Sequence, residues 1–294
     1  MLSPRAHPGV ELTTHCGDVI AAPHIDAVVV ATPVQSHFEL ALAALRAGKH
    51  VFVEKPMART SDQALSLIEE SERRRLILMV DHTYVFSSAI TRIAEAVRSG
   101  ELGDLQSWDS TRLNLGLVRS DVNVVWDLAA HDFGILDYVL PDQPSAMAVT
   151  GMRPGGSDAE HLAYLTLHFP AGLLAHITVS WISPVKVRRT LIAGSRRTLV
   201  YDDQLAEAMT IHECGLERDG EGRSVRYRRG HVDTLPLDVV EPLSRAVDHF
   251  ADCISRSERP MVDGAAGLRV VRLLEAADRA LSCGGVITRL GVGG

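Results

Sequence analysis

The stretch DAVVVATPVQSHFELALAALRAGKHVFVEKP, residues 26–56, decides the fold. It opens on an unbroken apolar run, Asp26 to Ala31, of the kind that forms strands buried on both faces of a sheet. A helical stretch with one apolar face follows, and Gly48 ends it at the position where helices favour glycine. The run 50–53 then predicts a second strand. Strand, helix and strand at this spacing indicate a parallel βαβ unit.

Toward the C-terminus, a second helix and a third strand extend this unit. Thr60 and Gln63 form a capping-box pattern at the start of that helix, as Ser36 and Glu39 do for the first. The run LILMV, residues 76–80, predicts the third strand. Alternating strands and helices of this kind build a doubly wound parallel sheet. Such a nucleotide-binding sheet normally has at least five strands, and only three are evident, so we expect an incomplete one.

Beyond about residue 84 the alternation gives way to consecutive strands. Apolar or alternating runs at 161–169, 173–181 and 187–193 have no helices between them, which is typical of an antiparallel sheet. The polar, charge-rich stretch 217–230 predicts a loop. Further helices are predicted near residues 90–97, 127–140, 243–255 and 265–281.

The predicted fold class is therefore α/β with two domains. Residues 1–84 form an incomplete doubly wound, Rossmann-like parallel sheet. Residues 85–294 form an α+β domain with a large open, mostly antiparallel sheet.

Composition excludes several classes of protein. The 294 residues carry a formal net charge of −7, which argues against nucleic-acid binding, because phosphates require a basic face. No apolar run is long enough to span a bilayer, and the first residues lack an apolar signal core, so we expect no membrane association and a cytoplasmic location. The four cysteines are scattered, and neither they nor the histidines follow a metal-binding spacing. We expect no metal.

Polar side chains follow each predicted strand of the first domain. In such sheets ligands bind beyond the carboxyl ends of the strands, so Lys55 lies at the edge where chemistry is expected. Pro56 restricts the backbone of Lys55 to an extended conformation, which would fix its direction. A partly buried lysine has a lowered pKa and can exchange protons with an alcohol. The alternative is a surface lysine paired with Glu54.

A second chemical pattern is Asp127 with His131, in WDLAAHDFGILDY. A spacing of four residues places both side chains on one face of a helix. A carboxylate beside an imidazole fixes its tautomer and raises its basicity, which builds a general acid or base. The alternative is a helix-capping aspartate and a core or surface histidine.

These features occur in an order that resembles the glucose–fructose oxidoreductase/inositol dehydrogenase/MocA (GFO/IDH/MocA) family. The resemblance covers nearly the whole chain, and the Glu-Lys-Pro motif after AGKHV is its most specific part. The stretch LNLGLVRSDVNVVWDLAAHD looks most like members that act on nucleotide-linked sugars. The series that carries the resemblance is ATP (31–33), His37, AGKHVFVEKP (47–56), GELG (100–103) and Asp127-x-x-x-His131.

The resemblance implies an oxidoreductase that uses NAD or NADP and acts on a sugar, on the nucleotide-linked form in particular, or on a cyclitol. It implies that His131 takes the proton of a hydroxyl while the carbon-bound hydrogen leaves as hydride, and that Lys55 stabilises the developing oxyanion. It also implies a homo-oligomer built on the open sheet. The implied site residues are Lys55, His131 and Asp127 for catalysis; Thr32, Pro33, His37, Glu54 and Lys55 for the cofactor; and Asn123 and Arg112 for the substrate.

The sequence departs from the family pattern at its beginning. The family starts with a strand, a Gly-x-Gly-x-x-Gly turn and a helix that hold the pyrophosphate, and only Gly9 and Gly17 precede Gly48 here. Three explanations are open: a natural start further upstream, a short chain that binds cofactor weakly or not at all, or a partner chain that completes the sheet. Two functional alternatives also remain, a cofactor-free sugar-binding or assembly protein and a lyase or hydrolase with a tightly held nicotinamide.

Overall fold

The computed structural model describes residues 9–116, 118–205, 208–218 and 225–291, without the side chains of 216–218 and 225. These residues form two compact units. The first comprises the described residues up to Asp81 together with Asp248–Leu268. The second comprises His82–Val247 and the described residues from Arg269 onward. The division lies three residues before the predicted boundary at residue 84, and sequence patterns did not indicate the return of 248–268 to the first unit.

The first unit is built on a three-stranded parallel sheet of order β1-β2-β3, in which Val30 pairs with Val53 and Val53 with Val80. All three predicted strands are therefore present, with their carboxyl ends aligned. Phe250, from the returning segment, stacks on Phe52 at a ring distance of 5.4 Å. The elements of this unit are α1 (Cys16–Ala21), β1 (Ala27–Val30), α2 (His37–Arg46), β2 (His50–Glu54), α3 (Ser61–Arg74), β3 (Leu78–Asp81) and most of α6 (Pro242–Arg256).

The helix signals of this unit differ in outcome. The Thr60 hydroxyl accepts the Gln63 N–H, as the capping box requires, and Gly48 ends α2 with φ +80°. The capping box predicted for Ser36 and Glu39 is wrong, because the Ser36 hydroxyl donates to the Thr32 hydroxyl and the Pro33 carbonyl instead. A short 3-10 turn before α2 brings these groups together.

The second unit contains a nine-stranded sheet of order β11-β10-β9-β8-β4-β7-β6-β5-β12. Within the described part of this sheet only the β4–β7 pair is parallel, so the expectation of a mostly antiparallel sheet is confirmed. Its strands are β4 (Leu105–Leu115), β5 (Ala146–Met152), β6 (Leu162–His168), β7 (Leu174–Ser180), β8 (Ile182–Gly194), β9 (Arg197–Asp202), β10 (Met209–Arg218), β11 (Val225–Thr234) and β12 (Thr288–Arg289).

The loop predicted at 217–230 is wrong where the structure describes it. Strands β10 and β11 form an antiparallel hairpin that includes residues 217–218 and 225–230, and residues 219–224 lie outside the described part. Charged side chains are compatible with strands at the edge of a sheet, where they face water. Polarity alone therefore did not separate an edge hairpin from a loop.

One face of the large sheet carries the core of the second unit. Along β6 and β7 the side chains alternate, so that Leu165 and Ile177 are fully buried whereas Tyr164, on the other face, is 46% exposed. Helices packed in this core are α4 (Ser88–Arg98), α5 (Ala130–Val139) and part of α7 (Gly264–Ser282). The opposite face, which we call the open face, carries the exposed Tyr164 and Leu174. None of the described helices is both long enough and apolar enough to cross a membrane.

Candidate functional site

His37 joins two of the strand-end segments in the first unit. Its ring is 1% exposed, with Nδ1 2.8 Å from the Pro56 carbonyl oxygen and Nε2 2.7 Å from that of Thr32. Both ring nitrogens are thus used by the backbone. His37 therefore fixes the segment after β1 against the segment after β2, and its contact with the cofactor stays a prediction. Thr32 and Pro33 are exposed at the end of β1.

Glu54 and Lys55 lie at the carboxyl end of β2. The Glu54 carboxylate accepts the Lys55 N–H at 3.2 Å, and both side chains are partly buried. Glu54 pairs in register with the buried Asp81 at the end of β3. Burial raises the pKa of the Glu54 carboxyl, the negative charge of Asp81 raises it further, and Lys55 opposes both. The carboxyl edge of the sheet therefore carries a lysine beside two carboxyls that interact.

Asp127 lies in the second unit on a helix that begins with a π-helical turn, Val125–Ala129, before α5. The continuous α-helix expected over 127–140 is therefore wrong for its first turn. The Asp127 carboxylate accepts the indole N–H of Trp181 at 2.9 Å and lies 3.7 Å from the Arg119 guanidinium. These contacts orient the carboxylate, and its effect on the tautomer of His131 stays a prediction. Such π turns often occur at functional sites.

Asn123, predicted to contact the sugar, has a structural use for both ends of its amide. Its oxygen accepts the N–H groups of Val125 and Trp126 at 3.1 Å, and its NH₂ donates to Asp278 at 3.0 Å. Trp126 also donates its indole N–H to Asp278, and burial raises the pKa of that carboxyl. Asn123 thus accepts the first two N–H groups of the π turn, and its contact with the substrate stays a prediction.

Arg112, also predicted to contact the substrate, is buried in an ion pair. It is 8% exposed, and its Nε lies 3.1 Å from a carboxylate oxygen of Asp132, which also accepts the Ser110 hydroxyl. Burial works to lower the pKa of Arg112, but the charge of Asp132 and its hydrogen bonds outweigh this and raise it. The guanidinium stacks over the Tyr84 ring at 4.7 Å. These contacts fix the guanidinium, and a direct contact of Arg112 with the substrate stays a prediction.

His131 lies on the first turn of α5 and contacts Tyr84. The ring centroids are 4.9 Å apart at an angle of 86°, an edge-to-face arrangement. A small cavity is lined by Tyr84, Arg112 and Tyr201. Burial raises the pKa of Tyr201 to about 12, with contributions from Asp203 and Tyr84. Sequence patterns did not indicate Tyr84, because its position after β3 resembles any apolar turn.

The side chains at the carboxyl edge of the first unit's sheet fit half of a dinucleotide. An exposed hydroxyl at Thr32 and the Glu54–Lys55 pair are groups that would hold a nicotinamide and its ribose. No Gly-x-Gly-x-x-Gly occurs in the printed sequence to receive the pyrophosphate. In the part of the chain that the structure describes, no three His, Cys, Asp or Glu side chains are grouped to hold a metal.

Comparison with known proteins identifies two domains. Residues 3–82 match the profile of an oxidoreductase family with an NAD-binding Rossmann fold, and residues 90–200 match the GFO/IDH/MocA C-terminal domain. The chain is 24% identical to myo-inositol 2-dehydrogenase of Thermotoga maritima, over 90% of this chain and 80% of that protein. It is 27% identical to UDP-N-acetylglucosamine 3-dehydrogenase of Acidithiobacillus ferrooxidans, over 91% and 80%.

A solved structure shares the fold. The inositol dehydrogenase homologue of Azotobacter vinelandii, complexed with NADH and myo-inositol, superposes with a TM-score of 0.78 at 22% identity. The match covers 93% of this chain and 80% of that one. This similarity confirms the α/β fold class.

Proposed function

The chain belongs to the GFO/IDH/MocA family of oxidoreductases, whose N-terminal domain is an NAD-binding Rossmann fold, and from this premise we propose its reaction. It transfers a hydride between the nicotinamide of NAD or NADP and a hydroxyl-bearing carbon of a sugar or cyclitol. The observation that carries the proposal is Lys55, partly buried at the carboxyl end of β2 beside Glu54. A cation at the ligand-binding edge of a parallel sheet can stabilise an oxyanion, and this supports the proposal.

We further propose that the substrate is a nucleotide-linked sugar. Support comes from the sequence LNLGLVRSDVNVVWDLAAHD and from similarity to UDP-N-acetylglucosamine 3-dehydrogenase. Similarity to myo-inositol 2-dehydrogenase supports a cyclitol as the alternative.

The proposed mechanism uses Lys55, Glu54, His131 and Asp127. The bound nicotinamide supplies the carbon that accepts or returns the hydride. Lys55 stabilises negative charge on the substrate oxygen, and Glu54 offsets the lysine charge while it holds the Lys55 backbone. His131 accepts the hydroxyl proton and returns it in the reverse direction. Asp127, oriented by Trp181, favours the protonated form of the imidazole.

We propose a homo-oligomer formed through the open face of the large sheet. That face carries exposed Tyr164, stacked on His176 at 6.4 Å, and partly buried Thr166 and Thr178. A mixed apolar and polar surface of this kind can pair with a second copy of itself.

The first test is titration of the purified protein with NADH and NADPH, following nicotinamide fluorescence. We expect binding at micromolar concentration and saturable oxidation of one member of a panel of UDP-sugars and inositols. Lys55→Ala and His131→Asn should each lower kcat by about 10²–10⁴-fold. The exposed Lys186, which lies on β8, provides the control Lys186→Ala, with unchanged kcat.

The outcomes of this test separate the alternatives. A folded protein that binds neither cofactor up to millimolar concentration contradicts the dehydrogenase assignment for this chain and favours a cofactor-free sugar-binding protein. Turnover without net change in nicotinamide absorbance favours a lyase or hydrolase.

A further inference from the structure

We propose that Tyr84 is a positioning residue that fixes the imidazole of His131, an inference that rests on the proposed role of His131 as acid and base. Tyr84 lies on a 3-10 turn, Thr83–Phe86, that begins two residues after the end of β3. Its ring meets the His131 ring edge to face, with centroids 4.9 Å apart. An imidazole held in this way has less freedom to rotate away from its productive orientation.

Two guanidinium groups lie over the ring of Tyr84. The central carbon of Arg112 lies 4.7 Å from the ring centroid, and that of Arg188 lies 5.7 Å away. Contacts of this kind between a cation and an aromatic face are strongest where water is excluded. Arg112 meets this condition because it is 8% exposed.

These contacts begin and end at adjacent residues of one helix turn. Arg112 is anchored by Asp132 through two hydrogen bonds, at 3.1 and 3.5 Å, and Asp132 directly follows His131 in α5. Asp132 contacts Arg112, Arg112 contacts Tyr84, and Tyr84 contacts His131. The buried ion pair between Arg112 and Asp132 holds Tyr84 in place. Tyr84 in turn opposes a rotation of the His131 ring toward it.

The same turn contacts α5 at a second point. A Cβ atom on Gly134 would lie 2.5 Å from Nδ1 of the buried His82, so glycine lets the His82 ring approach the helix backbone. Residues 131 and 134 are three apart and lie on one face of the helix. His82, against Gly134, and Tyr84, against His131, thus fix the turn against that face.

The expected consequence concerns turnover more than binding. A catalytic group needs to stay within about 0.5 Å of its productive position, and misplacement by about 1 Å can cost roughly 10²-fold in rate. In the proposed arrangement Tyr84 acts on His131 and not on the substrate. Loss of its ring should therefore lower kcat and leave KM nearly unchanged.

The test uses three variants of the full chain. Tyr84→Leu removes the ring, and Tyr84→Phe keeps the ring without its hydroxyl. Tyr138→Leu is the matched control, because Tyr138 also lies on α5 under a guanidinium, that of Arg98 at 4.8 Å, but about 10 Å further along the helix axis than His131. Each variant is examined without cofactor by NMR of the histidine ring protons, with the His131 signal assigned from His131→Asn.

We expect Tyr84→Leu to shift the His131 signal and to lower kcat by about 10-fold or more, with KM within about twofold. Tyr84→Phe should restore both values, and Tyr138→Leu should change neither. A His131 signal that stays in place in Tyr84→Leu overturns the inference, whether or not the wild-type protein turns over a substrate. Loss of turnover in Tyr84→Phe with an unmoved signal also overturns it, since the hydroxyl would then be the active group.

Discussion

Glu54 shows how the chemistry of a residue depends on a neighbour that is remote in sequence. The Glu-Lys-Pro motif marks Glu54 and Lys55 as candidates, and their place after an apolar strand predicts the edge of the sheet on which they lie. The interaction with Asp81 arises only when β2 and β3 pair in register. The sequence therefore predicts the position of Glu54, but not the raised pKa of its carboxyl.

We expect Glu54→Gln to raise the free energy of unfolding at pH 7. A carboxyl whose pKa is raised in the folded state destabilises the protein as pH rises. The loss of stability develops between the ordinary pKa of 4.5 and the raised pKa, because the unfolded chain releases the proton first. The gain should disappear at about pH 3, where Glu54 is protonated in both states. Urea unfolding at both pH values measures this difference. Glu95→Gln, at an exposed site within α4, is the control, and an equal gain there would contradict the explanation.

Gly134→Ala tests the close packing of His82 against α5. The new methyl group would lie 2.5 Å from the His82 ring, and relieving such an overlap typically costs about 1–3 kcal/mol of stability. Denaturant unfolding measures the loss. Gly17→Ala, in α1 with no atom within 4 Å of the added carbon, should change stability by less than about 1 kcal/mol. A Gly134→Ala variant as stable as the wild type would show that His82 moves aside freely.

For helices and strands, the periodic apolar patterns predicted which elements are present. They did not predict the local geometry of each element as well. The strands of the first unit and the helices α6 and α7 follow from apolar patterns that depend on nearby residues alone. The π turn at 125–129 does not, because its geometry is supported by Asp278 and Trp181, more than fifty residues away. The positions of Asp127 and His131 were predictable because they follow from local spacing. The partners of Asp127 were not, because they are remote in sequence.

The roles of Arg112 and Asn123 illustrate the same limit. Each is a polar residue near the predicted acid–base pair, which favours a substrate contact. Their partners, Asp132 and Asp278, become neighbours only through the packing of β4 and α7 against the helix. Both side chains are used to stabilise the element that carries His131.

At this scale we expect Arg112→Met to lower the free energy of unfolding by about 3–5 kcal/mol, because it leaves the buried Asp132 carboxylate without its cation. Urea unfolding with a two-state fit measures the change. Arg256→Ala is the control, since its pair with Asp252 is exposed and lies at 3.6 Å, and such pairs contribute about 0–1 kcal/mol. A loss below about 1 kcal/mol in Arg112→Met would contradict this account.

For the whole molecule, the open face of the nine-stranded sheet carries the proposed contact between copies. We expect light scattering to give a mass that is a multiple of 31.9 kDa for the wild type, and a smaller mass for Tyr164→Glu, which places a charge within that face. Tyr227→Glu is the control on the edge strand β11, where the ring is 84% exposed. A wild-type protein of 31.9 kDa would contradict the assembly.

The return of Asp248–Leu268 to the first unit has a consequence for synthesis on the ribosome. Phe52, on β2, gains its stacking partner Phe250 only after the whole sheet of the second unit, apart from the short β12, has been translated. At about 5–20 residues per second, the ribosome takes roughly 10–30 s to proceed from the end of β3 to α6. During that interval the second unit can begin to fold, whereas the first cannot be completed. We therefore expect that ribosome-bound chains stalled before residue 248 recruit chaperones through their N-terminal strands.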